Sequence, residues 1–392
     1  MDLTLLNPEI QKFIDAKIEN DISIIALQKN PFPKIIWIDI LEQISGKQKA
    51  KTKLPTWFNT KNIIYPNKIS VEQTSSEKTA KYKAELVTGN SLIDLTGGFG
   101  VDDYYFAQNI NRVIHCEINE VLSEIASHNL KQLHIENSEC IAGESTEILK
   151  NLNQQFDWIY IDPSRRNEAI GKVFMLKDCL PNVPELLDFY FAFSSNIMIK
   201  TAPILDITAG LSELKNVKTI HIIALENEVK ELLWVLENNY AGKIEIISCN
   251  INKEQTEEFV FTYGKSSISN YSLPKKYLFE PNAAIMKSGG FDEITNRFEI
   301  EKLHPNSHIY TSDKLIDFPG RVFEIEKSFD YNKHNMKLFL ENNQANITTR
   351  NFNETVDNIR KKWKIKDGGN AYCFFTTDVN NTKIVLLCSK LK

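Results

Sequence analysis

The sequence has few cysteines, and their spacing fits neither a metal site nor a disulfide framework. Six occur in 392 residues, each of them isolated, and no C-x-x-C pair is present. Zinc ribbons and fingers need closely spaced ligand pairs, and small secreted domains need a much higher density of cysteines. We therefore expect free, buried thiols in a cytoplasmic protein that binds no metal.

Long apolar runs are also absent. No stretch approaches the roughly 20 apolar residues that a membrane helix needs, and the N-terminus lacks the basic and then apolar pattern of a signal peptide. This predicts no membrane partner. Hydrophobic residues nevertheless make up 42% of the chain, and its 392 residues are enough for two or three packed domains.

The chain has no overall excess of positive charge, since its formal net charge is −5. The distribution is uneven. Residues 275–392 contain 19 Lys and Arg against 15 Asp and Glu, a balance of +4, which leaves −9 for residues 1–274. A more basic C-terminal third fits an RNA-binding appendage on an acidic core, although a balance of +4 is also ordinary surface composition.

A glycine-rich turn follows a short apolar strand in the middle of the chain. The strand ends at Asp94, and Gly97, Gly98 and Gly100 form the turn. A second strand, residues 112–117, ends at Glu117, 23 positions after Asp94. A glycine loop followed after about 20 residues by a strand-terminal carboxylate is typical of a nucleoside-bearing cofactor site, with the carboxylate on the ribose hydroxyls.

Charges beside the turn indicate which cofactor it binds. Asp102 and Asp103 occupy the first turn of the following helix, where they would repel a pyrophosphate. The third glycine of a dinucleotide site is missing at its usual offset. A ligand with an ammonium and a sulfonium group suits this position better, so the residues favour S-adenosylmethionine over a dinucleotide.

Over roughly residues 80–265 the chain resembles the class I S-adenosylmethionine-dependent methyltransferases. The family's first motif matches residues 94–100, and its ribose-binding acid matches Glu117. Its adenine-contacting segment matches residues 142–145, and its fourth motif matches Asp162-Pro163. The resemblance implies a cofactor site made of Asp94, Thr96, Gly97, Gly98, Gly100, Glu117, Ile118 and Glu144. It further implies that Asp94 lies near the ammonium and Asp162 near the methyl acceptor.

A narrower resemblance points to a bacterial methyltransferase family with a C-terminal THUMP-like domain. The segments that carry it are residues 75–83, 162–166 and 277–282. Members have a C-terminal domain of a type associated with RNA binding. The resemblance implies RNA as the partner, either rRNA or tRNA, and RNA methylation as the activity.

The pattern of apolar segments predicts the fold class and three regions. Strands alternate with helices from residue 91 to about 263 and end in an antiparallel pair, which predicts an α/β fold with a Rossmann-like class I methyltransferase sheet. We predict an N-terminal helical region and linker (1–80), the methyltransferase domain (81–265) and an α+β, ferredoxin-like plus THUMP-like appendage (266–392), with a possible division near 320–345. The alternating lysines of residues 47–53 favour a solvated linker.

The segment Asp162-Pro163-Ser164-Arg165-Arg166 bears on the methyl acceptor. Enzymes that methylate exocyclic base amines usually have a second proline and an aromatic residue where Ser164 and Arg165 stand. 5-Methylcytosine enzymes need a nucleophilic cysteine, and none follows Pro163. One interpretation is that Asp162 and Pro163 hold a base nitrogen while Arg165 and Arg166 bind phosphates or stack on the base. Salt bridges to nearby acids would also explain the arginines.

Other functions stay open at this level. Lys81 or Lys83, with Asp162, Lys200 and Glu226, could form the Lys-Asp-Lys-Glu set of a ribose 2′-O-methyltransferase. The chain could also be a methyltransferase for protein or a small molecule, or a non-catalytic RNA-binding factor on the same fold. On the RNA hypothesis we expect Lys83, Lys200, Arg360, Lys361 and Lys362 to contact the substrate. The last three stand in a basic helix that Asp367-Gly368-Gly369 should end.

Overall fold

The structure, a computed structural model, describes residues 3–165, 175–265 and 267–392. These residues divide into two compact units. The first comprises Met1–Lys218 and Leu233–Gly242, and the second comprises Thr219–Leu232 and Lys243–Lys392. The limits predicted for the three regions, at residues 80 and 265, remain predictions.

The chain begins with helices, as predicted. They are a 3-10 turn at Leu3–Leu6, α1 (Pro8–Lys17), α2 (Ile22–Ala26), α3 (Trp37–Lys53), α4 (Pro55–Asn59), α5 (Lys68–Gln73) and α6 (Glu77–Leu86). Asn7 caps α1 by accepting from the backbone N–H of Glu9 at 2.9 Å, and Pro8 occupies the first helical position. Ile10, Ile14 and Ile44 are buried in a shared apolar cluster.

The prediction of a linker at residues 47–53 is wrong, because these residues form the end of α3. Lys47 pairs with Asp15 and Lys51 pairs with Glu19, both of them acids of the preceding helical region. Lysine, glutamine and alanine are good helix formers, and Ala50 of this segment is buried. The lysines therefore hold two helical segments together at the surface.

A parallel sheet flanked by helices makes up the rest of the first unit. Its strands are β1 (Ser91–Asp94), β2 (Arg112–Glu117), β3 (Ser138–Ala142), β4 (Trp158–Ile161) and β7 (Asn196–Thr201), with the short pair β5 (Ser164–Arg165) and β6 (Cys179–Leu180). Parallel pairing gives the order β3-β2-β1-β4-β7. The helices are α7 (Val101–Asn109), α8 (Glu120–Gln132), α9 (Ser145–Leu152), α10 (Val183–Phe191) and α11 (Ile207–Glu213), with a 3-10 turn at Leu176–Asp178.

This order places the ends of β1, β2 and β4 at one edge of the sheet. The carboxyl ends of neighbouring parallel strands meet at the same edge, and a binding site in such a sheet lies there. Asp94 and Glu117 end β1 and β2, and Asp162 follows β4 directly. The prediction of a mainly parallel sheet is confirmed.

The second unit contains β8 (Val217–Leu225), the first half of β9 (Glu228–Glu237), β10 (Glu245–Ile251) and β11 (Thr256–Thr262). The strand β10 is parallel to β8 and antiparallel to β11, which confirms the predicted terminal hairpin. The strand β9 was not predicted. It follows a two-residue turn in which Glu226 and Asn227 have φ of 48° and 66°, the left-handed pair that a type I′ hairpin requires.

A seven-stranded sheet forms the C-terminal part. Its elements are β12 (Tyr277–Pro281), α12 (Ala283–Ser288), α13 (Phe291–Phe298), β13 (Glu301–Lys302), β14 (Tyr310–Ser312), β15 (Gly320–Asp330), α14 (Lys333–Phe339), β16 (Asn346–Arg350), α15 (Val356–Trp363), β17 (Ala371–Thr377) and β18 (Lys383–Lys390). The strand order is β13-β14-β12-β15-β18-β17-β16. Only the β16–β17 pairing is parallel.

The motif at residues 277–282 has a structural role in this sheet. Glu280 is 2% exposed and accepts from Arg321 at 2.6 Å and from Arg350 at 2.9 Å. Asn282 caps α12 through the N–H of Ile285 and donates to Glu257 at 3.1 Å. A buried carboxylate needs such charged partners. These residues therefore tie β12 to the adjacent β15, to the more distant β16 and to β11.

The basic helix ends earlier than predicted. Helix α15 stops at Trp363, and Lys364 adopts a left-handed φ of 54°. Gly368 and Gly369, with φ of 91° and 80°, shape the later turn that leads to β17. Ile359 and Trp363 are buried, so packing of the apolar face decides where the helix ends.

Candidate cofactor and acceptor site

The glycine-rich turn is held by the carboxylate at the end of β1. Asp94 accepts from both the backbone N–H of Thr96, at 2.7 Å, and its hydroxyl, at 3.1 Å. The same hydroxyl accepts from the backbone N–H of Asp162 at 2.7 Å. Thr96 therefore links the end of β1 to the residue that follows β4.

Two glycines of the turn are required by geometry. A Cβ on Gly97 would lie 2.1 Å from Nδ1 of His115, so only glycine can pass over that ring. Gly98 has φ of 56°, which side chains rarely adopt. Gly100, with φ of 78°, precedes α7 and does not line the cavity described below.

Glu117 is fixed by two backbone donors. Its Oε2 accepts from Gly98 N–H at 3.0 Å, and its Oε1 accepts from Asn119 N–H at 2.8 Å. A carboxylate has about four acceptor positions, so each oxygen keeps one for a further donor. The half-buried carboxylate thus presents a fixed pair of acceptors beside the turn.

These residues line one cavity of about 450 Å³ within the first unit. Of the residues predicted for the site, it brings together Asp94, Thr96, Gly97, Gly98, Glu117, Ile118, Glu144 and Asp162. Ile118 is 76% exposed at its rim. Glu144 also caps α9, accepting from the N–H groups of Thr146 and Glu147 at 3.1 and 3.0 Å. The predicted contact of Glu144 with adenine stays a prediction.

The predicted acceptor side of the cavity contains an ion pair. Lys200, at the end of β7, pairs with Asp162. Lys200 is mostly buried, whereas Asp162 is partly exposed at the cavity. Ser164, Leu180 and Pro181 line the same side. Of the two predicted arginines, Arg166 and the side chain of Arg165 lie outside the described residues.

Lys83 is buried next to the cavity and contacts two of the residues that line it. It is completely buried, donates to Ser75 Oγ at 2.8 Å and lies 3.2 Å from Asp102 Oδ1. The hydroxyl of Tyr160 donates to the other Asp102 oxygen at 2.8 Å. The structure therefore places Lys83 beneath Asp102 instead of facing an acceptor, which corrects the prediction of a substrate contact.

The sequence reasoning missed part of the cavity wall. Gln73 at the end of α5, Thr74 and Ser75 after it, and Tyr160 line the cavity without having been predicted, whereas Asp102, which also lines it, was noted from the sequence only as a charge beside the turn. The sequence pointed to this segment only through the family resemblance at residues 75–83, and that resemblance did not indicate that Lys83 is buried. Helix α6 and helix α7 pack side by side, and this packing brings Lys83 to Asp102.

Burial and nearby charges shift the two aspartates of the cavity in opposite directions. Burial raises the pKa of Asp94 well above its usual range, and the neighbouring Asp103 and Asp102 raise it further. Burial also opposes ionisation of Asp102, but Lys83 and Lys200, with hydrogen bonds from Tyr160 and Ser75, outweigh it and lower the pKa of Asp102. A ligand cation near Asp94 would favour its ionised form.

The predicted basic contacts of the C-terminal part are partly engaged within the chain. Arg360 pairs with Asp367, and Lys362 lies 3.2 Å from Glu354 and 3.1 Å from the Tyr331 hydroxyl. Lys361 is exposed, as are Lys364 and Lys366 beyond the helix end. In the described part of this segment, therefore, only some of the basic side chains are available to a partner.

Metal clusters and membrane-spanning helices are both absent from the described residues. Within residues 3–165, 175–265 and 267–392, no cluster of three or more His, Cys, Asp or Glu is placed to hold a metal ion. None of the helices that the structure describes has both the length and the apolar composition to cross a membrane.

Comparison with known structures identifies the family. A candidate methyltransferase from Porphyromonas gingivalis W83 is 30% identical, and the match covers 98% of each chain with a TM-score of 0.86. A family model described as a ferredoxin-like domain matches residues 277–319, and one described as THUMP domain-like matches residues 320–390. This chain belongs to that methyltransferase family. The predicted resemblance and fold class are both confirmed.

More distant matches cover only part of the chain. An rRNA methylase from Streptococcus thermophilus is 19% identical over 41% of this chain and 93% of its own, with a TM-score of 0.30. The M. capricolum protein TrmK, in complex with S-adenosyl-homocysteine, is 18% identical over 41% and 69%, with a TM-score of 0.32. These likenesses are too distant to add to the assignment. No curated protein matches this chain.

Proposed function

We propose that this protein is an S-adenosylmethionine-dependent methyltransferase that modifies RNA, either rRNA or tRNA, at a base nitrogen. The observation that carries the proposal is the fixed carboxylate of Glu117 beside the glycine-rich turn. It lies in the same cavity as Asp162, so one cavity offers both a ribose-binding acid and an acid for the acceptor.

The residues present fit the proposed cofactor. Glu117 keeps acceptor positions for two ribose hydroxyls, and the exposed Ile118 lies next to it for the adenine ring. A Cβ on Gly98 would meet only the backbone carbonyl oxygen of Thr96, at 3.8 Å, so glycine leaves the backbone free to approach a ligand closely. Asp94 and Asp102 line this part of the cavity, where a ligand ammonium would favour the ionised form of Asp94 and a pyrophosphate would disfavour it.

Asp162 and its neighbours would hold the methyl acceptor. When bound, S-adenosylmethionine supplies a methyl group that an acceptor nitrogen can displace in line from positively charged sulfur. Asp162 and the Pro163 carbonyl would hold that nitrogen by accepting hydrogen bonds, and the Asp162 carboxylate would receive the proton it loses. The ribose alternative has less support, because Lys83 pairs with Asp102 and Glu226 lines a different cavity, in the second unit.

RNA as the substrate rests on the C-terminal domain. Residues 320–390 match a THUMP-like family, a domain type associated with RNA binding. Exposed Lys361, Lys364 and Lys366 lie in this region and could contact phosphates. The free cysteines, of which all but Cys140 are buried, fit a protein of the reducing cytoplasm.

Isothermal titration with S-adenosylmethionine and, separately, with NAD tests the proposal. We expect micromolar binding of the first and none of the second. Incubation with tritiated cofactor and unmodified rRNA or tRNA transcripts should then label the RNA. Binding of NAD alone, or of neither ligand, would overturn the enzyme proposal. Cofactor binding with labelling only of protein or small molecules would overturn the RNA proposal.

A further inference from the structure

We propose that Leu180 and Pro181 form the surface on which the methyl acceptor's base ring lies, which makes the substrate an unpaired nucleobase. This inference rests on the proposed function and names the acceptor of the same site. Leu180 is 54% exposed, and both residues line the cavity that contains Asp162.

Leu180 follows a segment that is anchored by strand pairing, burial and hydrogen bonds. Strand β6 pairs with β5, placing Leu180 opposite Ser164, and the preceding Cys179 is fully buried. Upstream, the Glu213 carboxylate accepts from the backbone N–H groups of Leu176 and Lys177 at 2.7 and 3.1 Å. A single exposed leucine is ordinary on a protein surface. A leucine held rigidly at a cavity wall is in a position to bind what enters.

The wall around Leu180 has two chemical characters. Asp162 and Ser164 offer polar groups, while Leu180 and Pro181 offer an apolar face. A nucleobase has the matching shape, because its ring faces are apolar and its edge carries the nitrogen donors and acceptors. A ribose hydroxyl presents no comparable flat face. The apolar residues thus favour a base over a sugar as the acceptor.

The position of Leu180 also accounts for an unusual feature of the sequence. Exocyclic-amine methyltransferases usually place an aromatic ring two residues after the proline that follows the acid, and this chain has Arg165 there. Pairing of β5 with β6 brings the Leu180 side chain beside that segment from elsewhere in the chain. We infer that Leu180 and Pro181 take over the ring's contact with the base. A base reached this way must be out of the stack, either because it lies in a loop or at an end or because the enzyme flips it out of a helix.

Kinetics of three variants test the inference. Leu180→Ala removes most of the apolar face, Leu180→Met retains it, and Ile38→Ala removes a side chain of similar exposure, 56%, outside the cavity. The acceptors are the unmodified rRNA and tRNA transcripts, and the tritiated product is digested and separated into nucleosides. We expect base-methylated nucleosides, and a KM for RNA about tenfold higher for Leu180→Ala. Cofactor affinity should be unchanged, and the other two variants should resemble the wild type.

The outcomes separate this inference from the proposed function. If S-adenosylmethionine does not bind, the proposed function is wrong, and so is the proposed acceptor surface that rests on it. Cofactor binding and RNA labelling with an unchanged KM for Leu180→Ala would overturn only the role of Leu180. Label in 2′-O-methyl nucleosides, or no label in RNA despite cofactor binding, would overturn the base as the acceptor. Unchanged cofactor affinity in Leu180→Ala also shows that the variant is folded.

Discussion

The backbone N–H of Gly98 donates to a carboxylate oxygen of Glu117 across 3.0 Å. This bond joins the turn after the first strand to the end of the second, so the two parts of the motif hold each other in place. Gly98 has a left-handed φ of 56°, a conformation that favours glycine at this point of the turn. The glycine therefore holds in place the Glu117 carboxylate, which we propose binds the ribose.

Replacing Glu117 with alanine should weaken binding of S-adenosylmethionine by about 2–3 kcal/mol, the value of charge-assisted hydrogen bonds to two hydroxyls. Titration calorimetry measures this loss directly. Glu120→Ala, in the first turn of the next helix and outside the cavity, serves as the control and should bind normally. Normal binding by Glu117→Ala would show that the cofactor lies elsewhere.

The position of Glu117 beside the glycine-rich turn could be predicted because it depends on local order along the chain. A strand, a glycine turn and a second strand ending in an acid lie within residues 91–117, and parallel pairing of the two strands brings their ends together. Asp162 could be found in the same way, since it follows the strand on the other side of β1. These predictions required only the alternation of strands and helices.

Other features depend on contacts that no local pattern reveals. The partner of Lys83 is on a different helix, so its burial followed from tertiary packing alone. The strand β9 is rich in leucine and glutamate, which favour helices, and its turn at Glu226 and Asn227 lacks the usual glycine. Tertiary pairing overrides these preferences. The lysines of residues 47–53 were misassigned because their acidic partners are distant in sequence.

Lys83→Met should destabilise the fold by about 3–5 kcal/mol, because it leaves Asp102 without its buried cation. Lys81→Met is the matched control, since Lys81 is exposed on the same helix and should change stability little. Urea unfolding measures both. The double variant Lys83→Met/Asp102→Asn should recover part of the loss. Equal effects of the two lysine substitutions would contradict the role of the pair.

The same substitution has a pH signature. Lys83 and Lys200 lower the pKa of Asp102 against the effect of burial. A carboxyl with a lowered folded-state pKa stabilises the fold above its unfolded pKa, and this contribution disappears as the pH falls through the folded value. The difference between wild type and Lys83→Met should therefore be largest near neutral pH and shrink in acid.

His221 should make the second unit sensitive to mild acid. Burial lowers the pKa of His221 to about 4, whereas an unfolded histidine titrates near 6.5. Protons therefore bind the unfolded chain first, and stability falls as the pH drops from about 6.5 to about 4. Between pH 7 and pH 5 the wild type should lose about 2 kcal/mol relative to His221→Gln.

Unfolding of both proteins in denaturant at each pH gives this difference. The exposed His334 provides the control, and His334→Gln should follow the wild type at every pH. Parallel curves for the wild type and His221→Gln would mean that His221 is protonated equally in the folded and unfolded chain.

The exposed lysines in and just after the last turn of the basic helix should contribute more to RNA affinity than its paired basic residues. Arg360 and Lys362 already pair with Asp367 and Glu354, so an RNA phosphate would have to displace those acids. An RNA phosphate could contact the exposed lysines, Lys361, Lys364 and Lys366, without displacing Asp367 or Glu354. Each phosphate contact adds about 0.7–0.9 to the slope of log affinity against log salt.

Filter binding of total RNA across a salt series compares two variants. The triple variant Lys361→Gln/Lys364→Gln/Lys366→Gln should reduce the slope by about 2 and weaken binding most at low salt. The double variant Arg360→Gln/Lys362→Gln should change the slope by less than about 1. Thermal unfolding verifies that both variants are folded. A larger loss in the double variant would mean that RNA breaks the internal ion pairs, and that the helix itself is the contact surface.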